Sequence, residues 1–172
     1  DSIEKIRFMP GVFEAMRQAR TAGFKLAIVT NQDGLGSAAF PQASFDIPHQ
    51  FMLDAFSSQG IEFDAVFVCP HFKADGCKCR KPATGLVDDY MQGVDRATSV
   101  MIGDRDTDLE FARNLGIRGI RVRRSGTEEE TWPAIVRALT ARRARAQRKT
   151  KETSIDVSVD LDGSAAITAS TG

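Results

Sequence analysis

The sequence predicts a doubly wound α/β fold, a parallel sheet with helices on both faces, on three observations. Short apolar runs rich in β-branched residues alternate with amphipathic helical stretches along most of the 172 residues. Hydrophobic residues make up 42% of the chain, which is adequate for a packed core. The residues with chemistry to offer, Thr30, Lys81 and Asp104 among them, fall where a predicted strand ends or a helix is being set up, the side on which such sheets bind ligands.

The elements follow in order. Pro10 and Gly23 bracket GVFEAMRQARTA, where Val12, Phe13, Met16 and Ala19 recur at helical spacing. KLAIVT, residues 25 to 30, reads as a strand buried on both faces. Asn31 to Phe45 is punctuated by Gly34, Gly36 and Pro41 and is expected to be a loop that helps cover a substrate. Pro48 opens a second helix through Phe51, Met52, Ala55 and Phe56, closed by Gly60, and DAVFVC, 64 to 69, is a second strand. A polar excursion over 70 to 82 precedes a helix around Leu86 to Met91 and a third strand, SVMIG, at 99 to 103. Asp106 and Thr107 are the expected caps of a helix through Leu109, Phe111, Ala112 and Leu115 that stops at Gly116, before a fourth strand at Ile117 to Val122. From Trp132 a helix through Ile135, Val136 and Leu139 runs into ARRARAQRKTK, read as a solvated helix end and linker. Ile155, Val157, Val159 and Leu161 then alternate with polar residues, a half-buried strand ended by Gly163 and without a sheet to join.

Composition excludes some classes of function. Basic and acidic residues balance at 23 each, so the net charge asks for neither nucleic acid nor an anionic membrane. No apolar run approaches the roughly 18 to 20 residues that span a bilayer. The opening DSIEKIRFMPGV lacks a signal-peptide layout, and a cytoplasmic chain is expected.

The sharpest local pattern is Cys69-Pro-His71, five residues, then Cys77-Lys-Cys79. Three thiolates and an imidazole are the donors of a closed tetrahedral zinc site, and three cysteines within eleven residues do not make a disulfide framework. With all four positions filled by protein, such a zinc would fold its loop and leave no position for a reacting water. Thr30 and Asn31 end one strand, presenting a hydroxyl and an amide to the crevice. Asp104 follows another strand and suits magnesium, with Asp108 four residues on. Asp108 also reads as a carboxylate favoured by a helix N-terminus. Arg105, His49 and Trp132 carry no pattern and read as surface or packing residues.

The ordered set of strand–Thr, then Lys, then strand–Gly–Asp–x–x–x–Asp resembles the haloacid dehalogenase-like phosphatases. The resemblance implies a Rossmann-like sheet of that type. It assigns Thr30 and Lys81 to the transferring phosphoryl group, Asp104 to magnesium and Asp108 to the second acidic position. The Cys/His loop narrows the likeness to the branch of histidinol-phosphate and heptose-bisphosphate phosphatases. FMPGV, TNQDGLG, FPQASFD, CPHFKADGCKCRKP and IGDRDTD are similar to the histidinol-phosphatase half of bifunctional histidine-biosynthesis enzymes, and the five-residue gap suits that half better than the heptose branch. KETSIDVSVDLDG resembles the opening strand of the imidazoleglycerol-phosphate dehydratase half.

The domains so implied are 1–148, a phosphatase domain, and 149–172, a linker and the start of a dehydratase domain. The implied reaction is magnesium-dependent hydrolysis of histidinol phosphate to histidinol through an aspartyl-phosphate. The family's Asp-x-Asp-Gly-Thr motif on the first, central strand has no counterpart here. That strand, the nucleophile and the acid/base carboxylate are therefore expected to be missing, leaving these 172 residues alone inactive. Two other readings stay open: a heptose-bisphosphate phosphatase, and a zinc-stabilised module that binds a phosphorylated ligand without chemistry.

Overall fold

The computed structural model describes residues 2–124, 127–151 and 153–162. Helix α1, Val12–Thr21, buries Ala15 and Ala19 on one face. These small residues pack with Val136 and Trp132 of α5, Trp132–Thr140. Strand β1, Ala27–Asn31, leads into α2, Gln42–Ser57, and returns as β2, Ala65–Cys69. β1 and β2 are parallel, with Thr30 opposite Val68 and Asn31 opposite Cys69. A parallel pair needs such a crossover, because its two strands start from the same end. Phe56 of α2 is buried among Phe8, Phe13 and Phe63, with ring centroids 4.9 to 5.5 Å from its own.

The second half repeats the plan. After α3, Asp88–Met91, strand β3, Val100–Gly103, is followed by α4, Asp106–Leu115, and by β4, Arg118–Arg121, parallel to β3. Gly116 stops α4 with φ +69, the left-handed conformation that glycine adopts without steric cost. Among the described residues the two parallel pairs are not hydrogen-bonded to each other. One apolar cluster nonetheless joins them: Phe111 and Leu115 of α4 pack with Val87, Met91, Val29 of β1, Phe67 of β2 and Met101 of β3. The carboxyl ends of β1 and β3 are thus brought to a common region.

Three expectations are corrected. Pro48 does not open α2 but lies inside it, so the loop expected over 31–45 ends at Pro41. Pro48 lacks the N–H that would bond the carbonyl of Ser44. Side-chain bonds one turn apart, Gln42 to Asp46 and Gln50 to Asp54 at 2.8 Å each, flank the defect. The cap of α4 is Arg105, with Asp106 and Thr107 already inside the helix.

The third correction concerns the basic segment. α5 ends at Thr140, and Arg143–Lys149 forms β5, antiparallel to β6, Ser154–Asp160. The strand expected at 155–161 therefore has a partner, and a boundary between 148 and 149 would cut through β5. Cross-strand charge explains the pairing of so polar a segment, since Arg145 forks onto Asp156. That contact holds the Asp156 carboxyl down at about 2, chiefly through the Arg145 hydrogen bond and then that of Gln147. Ile155, Val157 and Val159 of β6 remain exposed. Residues 163–172 of the expected dehydratase segment, Gly163 included, lie outside the described residues.

No helix among the described residues is long and apolar enough to cross a membrane.

Candidate active site and metal centre

Lys81 is the hub of the strand-end region. Its Nζ lies 2.8 Å from Oδ1 of Asp108 and donates to the main-chain carbonyl of Val29 at 2.6 Å. The two charged side chains are 10% and 6% exposed, so this is a buried ion pair. An ammonium has three hydrogens, and two are accounted for. The main chain of Lys81 is fixed too. Asn31 Nδ2 donates to the Lys81 carbonyl at 3.1 Å, and the Lys81 N–H donates to Asn31 Oδ1 at 3.0 Å. One amide side chain thereby sets the position of a segment fifty residues away in sequence.

Asp108 makes two contacts. While Oδ1 meets Lys81, Oδ2 accepts the N–H of Arg105 at 3.0 Å and closes the first turn of α4. Gly103 makes room for it, because a Cβ at that position would collide with the Asp108 carboxylate. Gly103→Ala is accordingly expected to push Asp108 away from Lys81 and to destabilise the protein by about 1–3 kcal/mol, the usual cost of overpacking. Denaturant midpoints check this, and an unshifted midpoint would show that the close approach is not needed.

Thr30, Asn31, Gln32, Lys81, Arg105 and Asp108 line one cavity of about 230 Å³. Thr30 Oγ1 accepts Gln32 Nε2 at 2.9 Å, leaving its own hydrogen to donate elsewhere. Asp104 stands at the same strand end but is exposed, and it does not line the cavity. Its carbonyl accepts Arg121 Nη1 at 2.6 Å, while its carboxylate has no protein partner among the described residues. Arg105, read from the sequence as a surface or packing residue, is exposed and also lines this cavity. His49 stacks on Phe45, with centroids 4.7 Å apart, and Trp132 packs in the core, in keeping with their packing role.

Beside the cavity, Cys69, His71, Cys77 and Cys79 place their ligand atoms within 4.8 Å of one another. The Cys69–Cys77 sulfur separation is 3.7 Å and the His71 Nδ1–Cys79 separation 3.1 Å. Tetrahedral bonds of about 2.3 Å from zinc to sulfur span sulfur pairs about 3.8 Å apart; Cys69–Cys77 comes near this, while Cys69–Cys79 and Cys77–Cys79, at 3.2 and 3.3 Å, are drawn in further. The protonation pattern shows the crowding of charge. Burial pushes the Cys79 thiol up to about 12, helped by contacts with Cys69 and Cys77. Burial opposes ionisation of Cys77, but hydrogen bonds from Cys79 and the main chain prevail and lower it to about 7. Three thiolates in this space call for a cation.

The metal loop is tied to the cavity wall. Gln32 and Gly34 donate their N–H groups to the carbonyls of Cys69 and Pro70 at 2.8 Å each. Arg80 pairs with Asp33 and donates to the His71 carbonyl at 3.1 Å.

A family model described as HAD-hydrolase-like matches residues 78–143. A crystal structure of D,D-heptose 1,7-bisphosphate phosphatase from B. bronchiseptica, complexed with magnesium and phosphate, is 30% identical with a TM-score of 0.69, and the match covers 80% of this chain and 86% of that one. The chain belongs to the haloacid dehalogenase-like phosphatases. Two curated relatives in sequence are histidine biosynthesis bifunctional proteins HisB. That of Legionella pneumophila (strain Lens) is 49% identical over 164 residues, 94% of this chain and 46% of the relative. That of Xylella fastidiosa (strain M23) is 48% identical over 178 residues, all of this chain and 47% of the relative. The chain thus spans about half the length of the curated relatives it matches. For a haloacid dehalogenase-like phosphatase, a polar cavity at the strand ends that holds a lysine, a threonine and amide groups is suited to a phosphoryl group.

Proposed function

We propose that this chain is the phosphatase part of a bifunctional histidine-biosynthesis enzyme and that the whole protein hydrolyses histidinol phosphate to histidinol. The observation that carries the reading is Lys81, buried, charge-paired and facing a cavity of phosphoryl-binding groups. The likeness to the HisB proteins supports the pathway, and the five-residue gap within the Cys/His loop supports the histidinol-phosphate branch.

The chemistry asks for positive charge. A phosphate monoester and an attacking carboxylate are both anionic, and their approach requires donors fixed in advance. Lys81 is held by Asp108 and Val29 so that its remaining hydrogen is free for a phosphoryl oxygen. Thr30 offers its hydroxyl hydrogen, and Asn31 holds Lys81 in register. The free carboxylate of Asp104, at the strand end, fits a magnesium ion, which when bound would neutralise phosphoryl charge. Cys69, His71, Cys77 and Cys79 would hold zinc in a closed, structural site.

The attacking and acid/base carboxylates belong, on this reading, to a strand of the whole protein seated between β1 and β3, whose mutual edges carry no hydrogen bonds among the described residues. The β5–β6 hairpin would open the dehydratase half.

The test is phosphate release by the full-length protein with magnesium, from histidinol phosphate and from D,D-heptose 1,7-bisphosphate. Magnesium-dependent turnover of the first, at a kcat/KM at least about tenfold above the second, is expected. The reverse preference would make it a heptose-bisphosphate phosphatase, a reading favoured by the 30%-identical structure. Binding without turnover of either would make it a ligand-binding module.

A further inference from the structure

We propose that Arg105 is a phosphoryl-binding residue of the cavity, its guanidinium taking a non-bridging oxygen of a phosphate monoester and setting the affinity for that group. The proposal rests on the phosphatase reading for its substrate, but not for the anion it recognises. The argument is a charge inventory. Of the charged groups lining the cavity, Lys81 and Asp108 neutralise each other at 2.8 Å, and the Asp108 carboxylate is further occupied by the Arg105 N–H. Arg105 is left as the uncompensated charge.

Its neighbours show the contrast. Arg80 is spent on Asp33 and on the His71 carbonyl, and Arg121 on Asp106 and on the Asp104 carbonyl. The Arg105 guanidinium makes no hydrogen bond or ion pair among the described residues. Its main chain is nonetheless anchored, because the N–H is held by Asp108 and the carbonyl accepts the Asp108 N–H at 3.1 Å. An anchored residue with an unengaged cationic fork, beside a threonine hydroxyl and two amides, presents donors to an anion with several equivalent oxygens. A carboxylate would leave part of this donor set unused, whereas a tetrahedral phosphoryl group offers enough acceptors to engage it.

The experiment compares Arg105→Gln and Arg105→Lys with the unsubstituted full-length protein. KM for histidinol phosphate and the inhibition constant of inorganic phosphate are both expected to rise at least about tenfold in Arg105→Gln, with part of the loss recovered in Arg105→Lys. Inhibition by histidinol, which lacks the phosphoryl group, is expected to stay unchanged, a readout that a merely structural role would move. Unchanged KM and phosphate inhibition in Arg105→Gln would overturn the proposal. Should Arg105→Gln not fold, the Arg105→Lys protein decides, since a lysine cannot reproduce the fork and an unaltered inhibition constant there is also adverse. Phosphorus NMR titration of inorganic phosphate separates the two readings. Arg105-dependent binding without turnover of histidinol phosphate sinks the phosphatase reading and keeps this one, while turnover with Arg105-independent phosphate binding does the opposite.

Discussion

Lys81→Met in the full-length protein is expected to lower turnover of histidinol phosphate at least about a hundredfold, the usual cost of losing a fixed donor at a reacting oxyanion. The same change is expected to lower stability by about 3–5 kcal/mol, because it strands the carboxylate of Asp108 in a place where only 6% of its side chain is exposed. The two effects have different causes and can be separated. Lys81→Met with Asp108→Asn removes the stranded charge but keeps an oxygen for the Arg105 N–H, so most of the stability is expected to return while turnover stays low. Asp104→Asn should show the complementary pattern: a comparable loss of turnover with little loss of stability, since no protein group depends on that carboxylate among the described residues. Denaturant midpoints and steady-state kinetics on the four proteins make the comparison. Near-normal turnover in Lys81→Met, or an unchanged midpoint, would remove Lys81 from the role assigned to it.

How much of this was legible beforehand depended on the range of the interactions involved. The strands at Ala27–Asn31, Ala65–Cys69 and Val100–Gly103 announce themselves by unbroken apolar runs, although the burial on both faces expected of them is not met: most of their residues are half-buried and Val66 is exposed. Thr30 and Asp108 could be placed in one region because a parallel sheet sends all its strand ends the same way, while Lys81, which follows no strand, joined them only through the ordered motif set and the family resemblance. Pro48 misled because a proline usually starts a helix, whereas here it lies inside one, flanked by the Gln42–Asp46 and Gln50–Asp54 side-chain bonds. Arg143–Lys149 misled for a related reason: with almost no apolar residues, its pairing depends on Asp156 across the hairpin. Arg105 was invisible because its significance is a matter of what its neighbours have already spent their charges on, and those partners are distant in sequence. The double hold of Asn31 on Lys81 is likewise a contact across fifty residues with no local signature.

Removal of the metal from the Cys/His cluster is the other change expected to have a large effect, and its reach follows from what the loop is attached to. Between Cys69 and Lys81 the chain has little apolar anchorage of its own: Phe72 is 50% exposed, and Cys69 is its buried member. Four donors converge in the loop, and a zinc ion joining them would contribute folding free energy directly. Without it, Cys79 keeps its proton, its thiol pushed up to about 12 chiefly by burial, and the short arms lose their common tether. Those arms are not peripheral. One runs from Cys79 through Arg80 to Lys81, and the other accepts the N–H groups of Gln32 and Gly34 on the cavity wall. Loosening the loop should therefore loosen Lys81 and Asn31 together. The full-length protein is expected to carry one zinc per cluster by elemental analysis. Stripping it with a strong chelator, or substituting Cys79→Ser, is expected to lower the melting temperature of the phosphatase part by at least about 10 °C and phosphatase turnover in parallel. Re-addition of zinc should restore the stripped protein and fail to restore Cys79→Ser. A protein freed of zinc that melts within about 2 °C of the original, a shift worth less than about 1 kcal/mol, would show that the loop holds itself. Lys81 would then owe its position to Asn31 and Asp108 alone.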